Sequence, residues 1–137
     1  GMLAETASKY FSDNKVPFHQ LVFCHMDKRP DIELHKDLAS AGILLEYDTF
    51  YRQKYQPQKK LWPLIEKMVN AGFAKNIVLA TDMAEASFYA FIGNGPGLAS
   101  FPNDIQKQLF QRGFPEPAIK NMIGENIARC LAGINEC

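Results

Sequence analysis

Apolar residues along this chain recur in two spacings, and those spacings predict an alternation of helices and strands. Leu3, Ala4, Ala7, Tyr10 and Phe11 return at steps of three and four, the period of a helix with one buried face, and the pattern breaks at Asn14 and Pro17. Short apolar runs follow at 20–25, 43–47 and 76–82, bounded by polar or turn-forming residues, as for strands buried on both faces of a parallel sheet. Between the first two runs, Leu34, Leu38 and Ala41 mark the buried stripe of a second helix. Ile32 lies in its first turn, Pro30 near its start, where a missing amide costs little, and Gly42 at its C-terminal cap. Leu61, Leu64, Ile65, Met68 and Val69 place a third helix over 61–71, closed by Gly72. Beyond the third run the pattern predicts a short helix at 83–90, then a turn-rich loop at Gly93-Asn94-Gly95-Pro96-Gly97. Helical spacing resumes at Ile105, Leu109 and Phe110, stops near Gly113-Phe114-Pro115, and returns from Glu116 through Leu131, with no strand expected after Asp82. The order is that of an α/β protein, three parallel strands joined by right-handed helical crossovers.

Each strand run ends on a side chain with chemistry to offer: His25, Asp48 and Asp82. From spacing alone His25 reads either as a hydrogen-bonded structural residue or as a metal ligand, and Asp82 either as the cap of a following short helix or as a base or ligand. Asp48 reads as the stabiliser of a strand-to-loop turn, because aspartates bond their own backbone there. Two such strands would aim His25 and Asp82 at one point. The loop 49–60 brings Tyr51, Arg52, Lys54 and Tyr55 to the same end, either as an exposed loop or as contacts for a phosphate or carboxylate, with Lys28 facing the same cavity. The glycine-rich loop at 93–97 is not a phosphate loop, since it neither follows a strand directly nor carries the lysine. His19 and His35 read as boundary or surface residues, and Cys24 as buried packing.

Composition narrows the field. With 137 residues, 47% of them hydrophobic, the chain suits a single domain with a real core. Lysine plus arginine and aspartate plus glutamate each number 15, so net charge gives no reason to expect nucleic acid or an anionic membrane as partner. Three cysteines without a CxxC pair argue against a disulfide scaffold or structural zinc site and point to a reducing cytoplasm. No run is long enough for a membrane span, the start lacks a signal-peptide layout, and Gly1 ahead of Met2 reads as a residue left by an expression tag.

In order, His25-Met26-Asp27-Lys28-Arg29-Pro30-Asp31, Ala41-Gly42 leading to Glu46-Tyr47-Asp48, Leu79-Ala80-Thr81-Asp82, and Glu125-Asn126-Ile127-Ala128-Arg129 resemble the landmarks of the phosphotriesterase family within the amidohydrolase superfamily. The last motif usually carries proline where Ile127 stands. The resemblance spans nearly the whole chain and implies part of a (β/α)8 TIM barrel, a fold of about 250 residues with its active site at the carboxyl ends of the strands. Aligned this way, the chain corresponds to strands six to eight with their helices and the helix after strand five. His25 is then the strand-six metal ligand. Asp82 is the strand-eight aspartate that touches a metal and takes the proton from attacking water. The family's His-x-His pair, its bridging lysine carbamate or glutamate, and its strand-five histidine have no counterpart here.

The resemblance implies a divalent cofactor, zinc or manganese, held weakly or not at all by this chain alone, since a catalytic site needs three protein ligands and an open position for water. It implies an ester or lactone substrate, with phosphorylated sugar lactones favoured by Lys28, Arg52 and Tyr55. Two open sheet edges and an apolar inner face predict a homo-oligomer, domain-swapped or otherwise. The rival readings are a catalytically silent, self-associating remnant and a small α/β module that binds a phosphate-bearing ligand without catalysis.

Overall fold

The computed structural model describes the backbone of residues 2–133 and the side chains of 6–133. The side chains of Leu3 and Ala4, together with Gly1 and Cys137, therefore lie outside the described residues. The expected alternation is present. Helix α1 (Met2–Asp13) precedes strand β1 (Val22–Phe23), helix α2 (Ile32–Ser40), strand β2 (Leu44–Tyr47), helix α3 (Leu61–Asn70) and strand β3 (Ile77–Leu79). The strands form one parallel sheet in the order β1-β2-β3, with Val22 opposite Leu44, Leu45 opposite Ile77, and Tyr47 opposite Leu79. β2 is central, so β1 and β3 each keep a free edge.

Local chemistry explains where the elements stop. Asp31 caps α2 by accepting the Leu34 N–H at 3.2 Å, and Gly42 leaves the helix at φ +95°, a left-handed conformation that glycine reaches without a Cβ clash. Pro30 lies just ahead of the cap. Ala41, expected in the buried stripe, is exposed, and Ala39 is buried in its place.

Alternation along the strands sorts the sheet into two faces. Ile43, Leu45, Tyr47, Ile77 and Leu79 join the main core with Leu61, Trp62, Ile65 and Met68 from α3. Leu44 and Val78 are buried but lie outside that cluster, on the face they share with half-buried Glu46. Burying Trp62 brings its ring into edge contact with Phe50 at 5.2 Å, and Arg112 lies over it at 4.4 Å, which ties the loop after β2 to the C-terminal half.

After β3 the structure departs from the expected short helix at 83–90. That stretch holds a single tight turn at Ala86–Phe88, and α4 (Ala90–Gly93) is one helical turn. The segment is pinned by polar contacts, the Tyr89 hydroxyl to the Met83 carbonyl at 2.9 Å among them. Helix α5 (Gln106–Gln111) continues a π-helical turn at Phe101–Ile105. Helices α6 (Glu116–Lys120) and α7 (Asn126–Ala132) flank another at Asn121–Glu125, so that 116–132 is one helix with a bulge. Just past the bulge, buried Asn126 donates to the carbonyls of Ala74 (2.8 Å) and Ile77 (2.7 Å), and Arg129 fixes its amide oxygen at 2.5 Å. The Glu125 to Arg129 motif thus fastens the amino end of β3, the end of a barrel that serves stability rather than chemistry.

His35, expected at a boundary or surface, is fully buried. Its imidazole meets the Tyr47 hydroxyl at 2.8 Å and the Arg29 carbonyl at 3.2 Å. Helical periodicity put position 35 beside the stripe rather than in it, and the partner that makes burial tolerable sits on a strand. Cys24, expected as packing, is exposed, because β1 ends at Phe23 and the chain turns there. Its thiol lies against Glu46, and burial, a hydrogen bond to that carboxylate and its charge push it up to about 11, so it reacts as a slow nucleophile at neutral pH.

Candidate functional site

The carboxyl ends of the three strands converge on one acidic cluster. His25 follows β1 in a left-handed conformation at φ +61°, and Asp82 follows β3 at φ +44°. These are two of the five non-glycine residues with positive φ among the described residues. Such backbone is strained for an L-residue and persists only where its surroundings impose it.

What imposes it near His25 is Asp27. Its Oδ2 accepts the backbone N–H groups of Asp48 (3.1 Å) and Thr49 (2.8 Å) and the Thr49 hydroxyl (2.5 Å), stapling the turn after β1 to the end of β2. The side chain expected to hold that turn, Asp48, does something else: its Oδ2 pairs with His25 Nδ1. Asp48 is fully buried and its Oδ1 has no partner among the described residues, as is also true of Asp27 Oδ1. Burial pushes both carboxyls up. For Asp27 the Thr49 hydroxyl and amide pull the other way, and for Asp48 the His25 imidazole does, while Glu46 and Asp82 add repulsion.

One ligand atom from each of His25, Asp48 and Asp82 lies within 4.8 Å of the others. Spacing expected two such residues, and the third is the buried carboxylate at the end of β2. An imidazole and two carboxylates fit a divalent ion in number and type, since zinc takes three protein ligands while leaving room for water and manganese accepts the same nitrogen and oxygen donors. The unbonded, buried Oδ1 of Asp48 is the further sign of fit, because a buried acceptor without a donor is costly unless something fills its lone pair.

Asp82 is also claimed from the loop after β2. Arg52 Nη2 donates to its Oδ2 at 2.6 Å and to its backbone carbonyl at 3.0 Å, while Nη1 reaches Glu85 at 3.0 Å and the guanidinium packs on Phe88 at 5.2 Å. Lys28 and Lys54 lie 5.9 and 5.1 Å from the Tyr55 ring centre. Neither lysine pairs with a carboxylate among the described residues. The structure therefore gathers His25, Asp48 and Asp82 in one cluster, turns Arg52 onto Asp82, and sets Lys28 and Lys54 against the Tyr55 ring. Sequence reasoning passed over Asp27 and Glu85. The one signal for Asp27 was an acid placed near a strand's carboxyl end, which equally describes solvent-exposed Asp31 four residues on in the same motif.

Parallel strands alternating with helices, with an imidazole and carboxylates collected where the strands end, define a segment of a (β/α)8 barrel. Solved structures share that segment. A lactonase from Listeria monocytogenes superposes with a TM-score of 0.85 at 27% identity, over 93% of this chain and 40% of its own. An amidohydrolase from Mycoplasma synoviae gives 0.76 at 26% identity, over 83% of this chain and 34% of its own. A resiniferatoxin-binding protein from Rhodobacter sphaeroides gives 0.84 at 21% identity over 98% of this chain, a likeness of fold alone. The sequence profile of the phosphotriesterase family matches residues 6–131, and the chain belongs to that family. It spans about 40% of the length of the lactonase it matches. No curated protein sequence matches it.

Proposed function

We propose that this chain is the C-terminal portion of a metal-dependent hydrolase acting on ester or lactone bonds, with phosphorylated sugar lactones as the favoured substrate class, and that it has little activity without the other strands of the barrel. The observation that carries this reading is the convergence of His25, Asp48 and Asp82 at the ends of three adjacent parallel strands in a member of this family. His25, Asp48 and Asp82 would hold zinc or manganese, which when bound supplies Lewis acidity and lowers the pKa of water. Asp82 takes the proton from the attacking water on its carboxylate. Lys28 and Tyr55 meet the anionic part of the substrate, and Arg52 joins them when it leaves Asp82.

The two free edges of the sheet, and a second face that lies outside the main core, support self-association, domain-swapped or otherwise, in the cytoplasm. Free Cys24 and Cys130 agree with a reducing compartment.

The test is to coexpress the chain with a segment supplying the first five strands and their His-x-His pair, then assay lactones and triesters with and without zinc or manganese. Metal-dependent turnover that is lost in Asp82→Asn supports the reading; turnover that survives Asp82→Asn refutes Asp82 as the base. A second reading, an anion-binding module without catalysis, is favoured by the unpaired lysines around Tyr55. Sugar-phosphate binding without any metal binding would establish it instead.

A further inference from the structure

Arg52 is turned inward. Its side chain is only 10% exposed, against 21% for Asp82, and both of its terminal nitrogens are engaged by the segment after β3. Nη2 binds Asp82 through the carboxylate and the backbone carbonyl together, and Nη1 binds Glu85. Stacking on Phe88 fixes the guanidinium plane. Around the cluster each acid has a partner: Asp48 bonds the His25 imidazole, and Asp82 faces the Arg52 guanidinium. Unmatched, Asp48 and Asp82 would repel each other across the few ångströms between them.

A carboxylate in a charge-assisted bond to a guanidinium directs a lone pair at N–H, and that lone pair is not available to another cation. We propose that Arg52 is a built-in counter-cation for the metal site, a latch that occupies Oδ2 of Asp82 in the metal-free protein and competes with a divalent ion for that carboxylate as Asp82 joins His25 and Asp48. This rests on the metal-site reading above and adds its control: affinity for the ion is set by the difference between two cations competing for one carboxylate. The same pairing holds Asp82 in its left-handed backbone and Glu85 beside it, so release of Arg52 also frees the loop that follows β3.

Cobalt(II) titration by calorimetry and visible absorbance tests the latch in wild type, Arg52→Met, Asp82→Asn and the double variant. Arg52→Met removes the charge and keeps most of the bulk. It is expected to bind cobalt about tenfold to a hundredfold more tightly than wild type, the range of one charge-assisted pair. In the Asp82→Asn background that gain should vanish. Equal affinities for wild type and Arg52→Met overturn the latch and leave the metal site standing. No binding by any form overturns both.

A readout on the unaltered chain covers the case in which Arg52→Met does not fold. Modification of Arg52 by phenylglyoxal, mapped by mass spectrometry, should accelerate when cobalt is added, because the released guanidinium becomes accessible. An unchanged rate at a cobalt concentration that fills the site overturns the proposal.

Discussion

Replacing Asp27 by alanine should destabilise the chain more than any other single change at the candidate site. The carboxylate is 2% exposed and accepts three hydrogen bonds on one oxygen, two of them from backbone N–H groups that have nowhere else to turn. Each buried donor left without an acceptor costs about 1–3 kcal/mol, so the two amides together give roughly 2–6 kcal/mol. Part of that is offset, because the substitution also removes a buried charge whose second oxygen is unbonded and which repels Asp48. The net expectation is a loss of about 2–4 kcal/mol, a large fraction of the roughly 5–15 kcal/mol that holds a domain folded. Urea unfolding should read this as a midpoint shift of about 1–2 M, given a slope near 2 kcal/mol per molar. Asp27→Asn is the control. Its amide oxygen can accept the same bonds while the charge is gone, and the expected loss is within about 1 kcal/mol. An alanine variant that loses under about 1 kcal/mol, or an asparagine variant as damaged as alanine, would refute the staple, since either would mean that the amides find other partners or that the charge rather than the acceptor holds the turn.

The order of elements was readable because period alone separates helices from buried strands, and the ends of α2 and α3 follow from residues with a local mechanism, Gly42 and Gly72 as left-handed exits. What spacing missed shares one cause. His35 and Tyr47 are twelve positions apart and become partners only when α2 folds onto β2. Asp27 took the role that local rules give Asp48, since an aspartate at a strand end bonds its own turn only if nothing from another strand claims it first. Arg52 and Asp82 belong to different loops, thirty positions apart. Family resemblance pointed to His25 and Asp82, yet it had no means of adding Asp48, whose relevance lies in a pairing across β1 and β2. The motif Glu125 to Arg129, legible as a landmark, turned out to hold the amino end of β3 through Asn126.

Two further outcomes follow from groups that the fold has placed. His35 is buried neutral, its pKa lowered by desolvation against the opposing pull of the Arg29 carbonyl and Asp31. The unfolded chain then binds the proton more readily than the folded one, so stability is complete above the ordinary histidine pKa and falls as pH drops below about 6.5, by up to about 1.4 kcal/mol per unit. Asp27 and Asp48, with raised pKa values, tilt the curve the opposite way, so the comparison that isolates His35 is between wild type and His35→Gln, and parallel curves between pH 7 and 5 would refute the assignment. The second outcome concerns the open sheet. Cys24 is exposed beside Glu46 on the face that lies outside the main core, whereas Cys130 sits on α7, half-buried, away from it. If copies of the chain cover that face, light scattering should give at least a dimer at micromolar concentration, and maleimide labelling of Cys24 should slow as concentration rises while that of Cys130 does not. A monomer whose Cys24 labels at one rate throughout would mean that the face tolerates water. The half-buried carboxylate of Glu46 then suffices to keep it wet, and a sheet built for the inside of a barrel is stable as an outer surface.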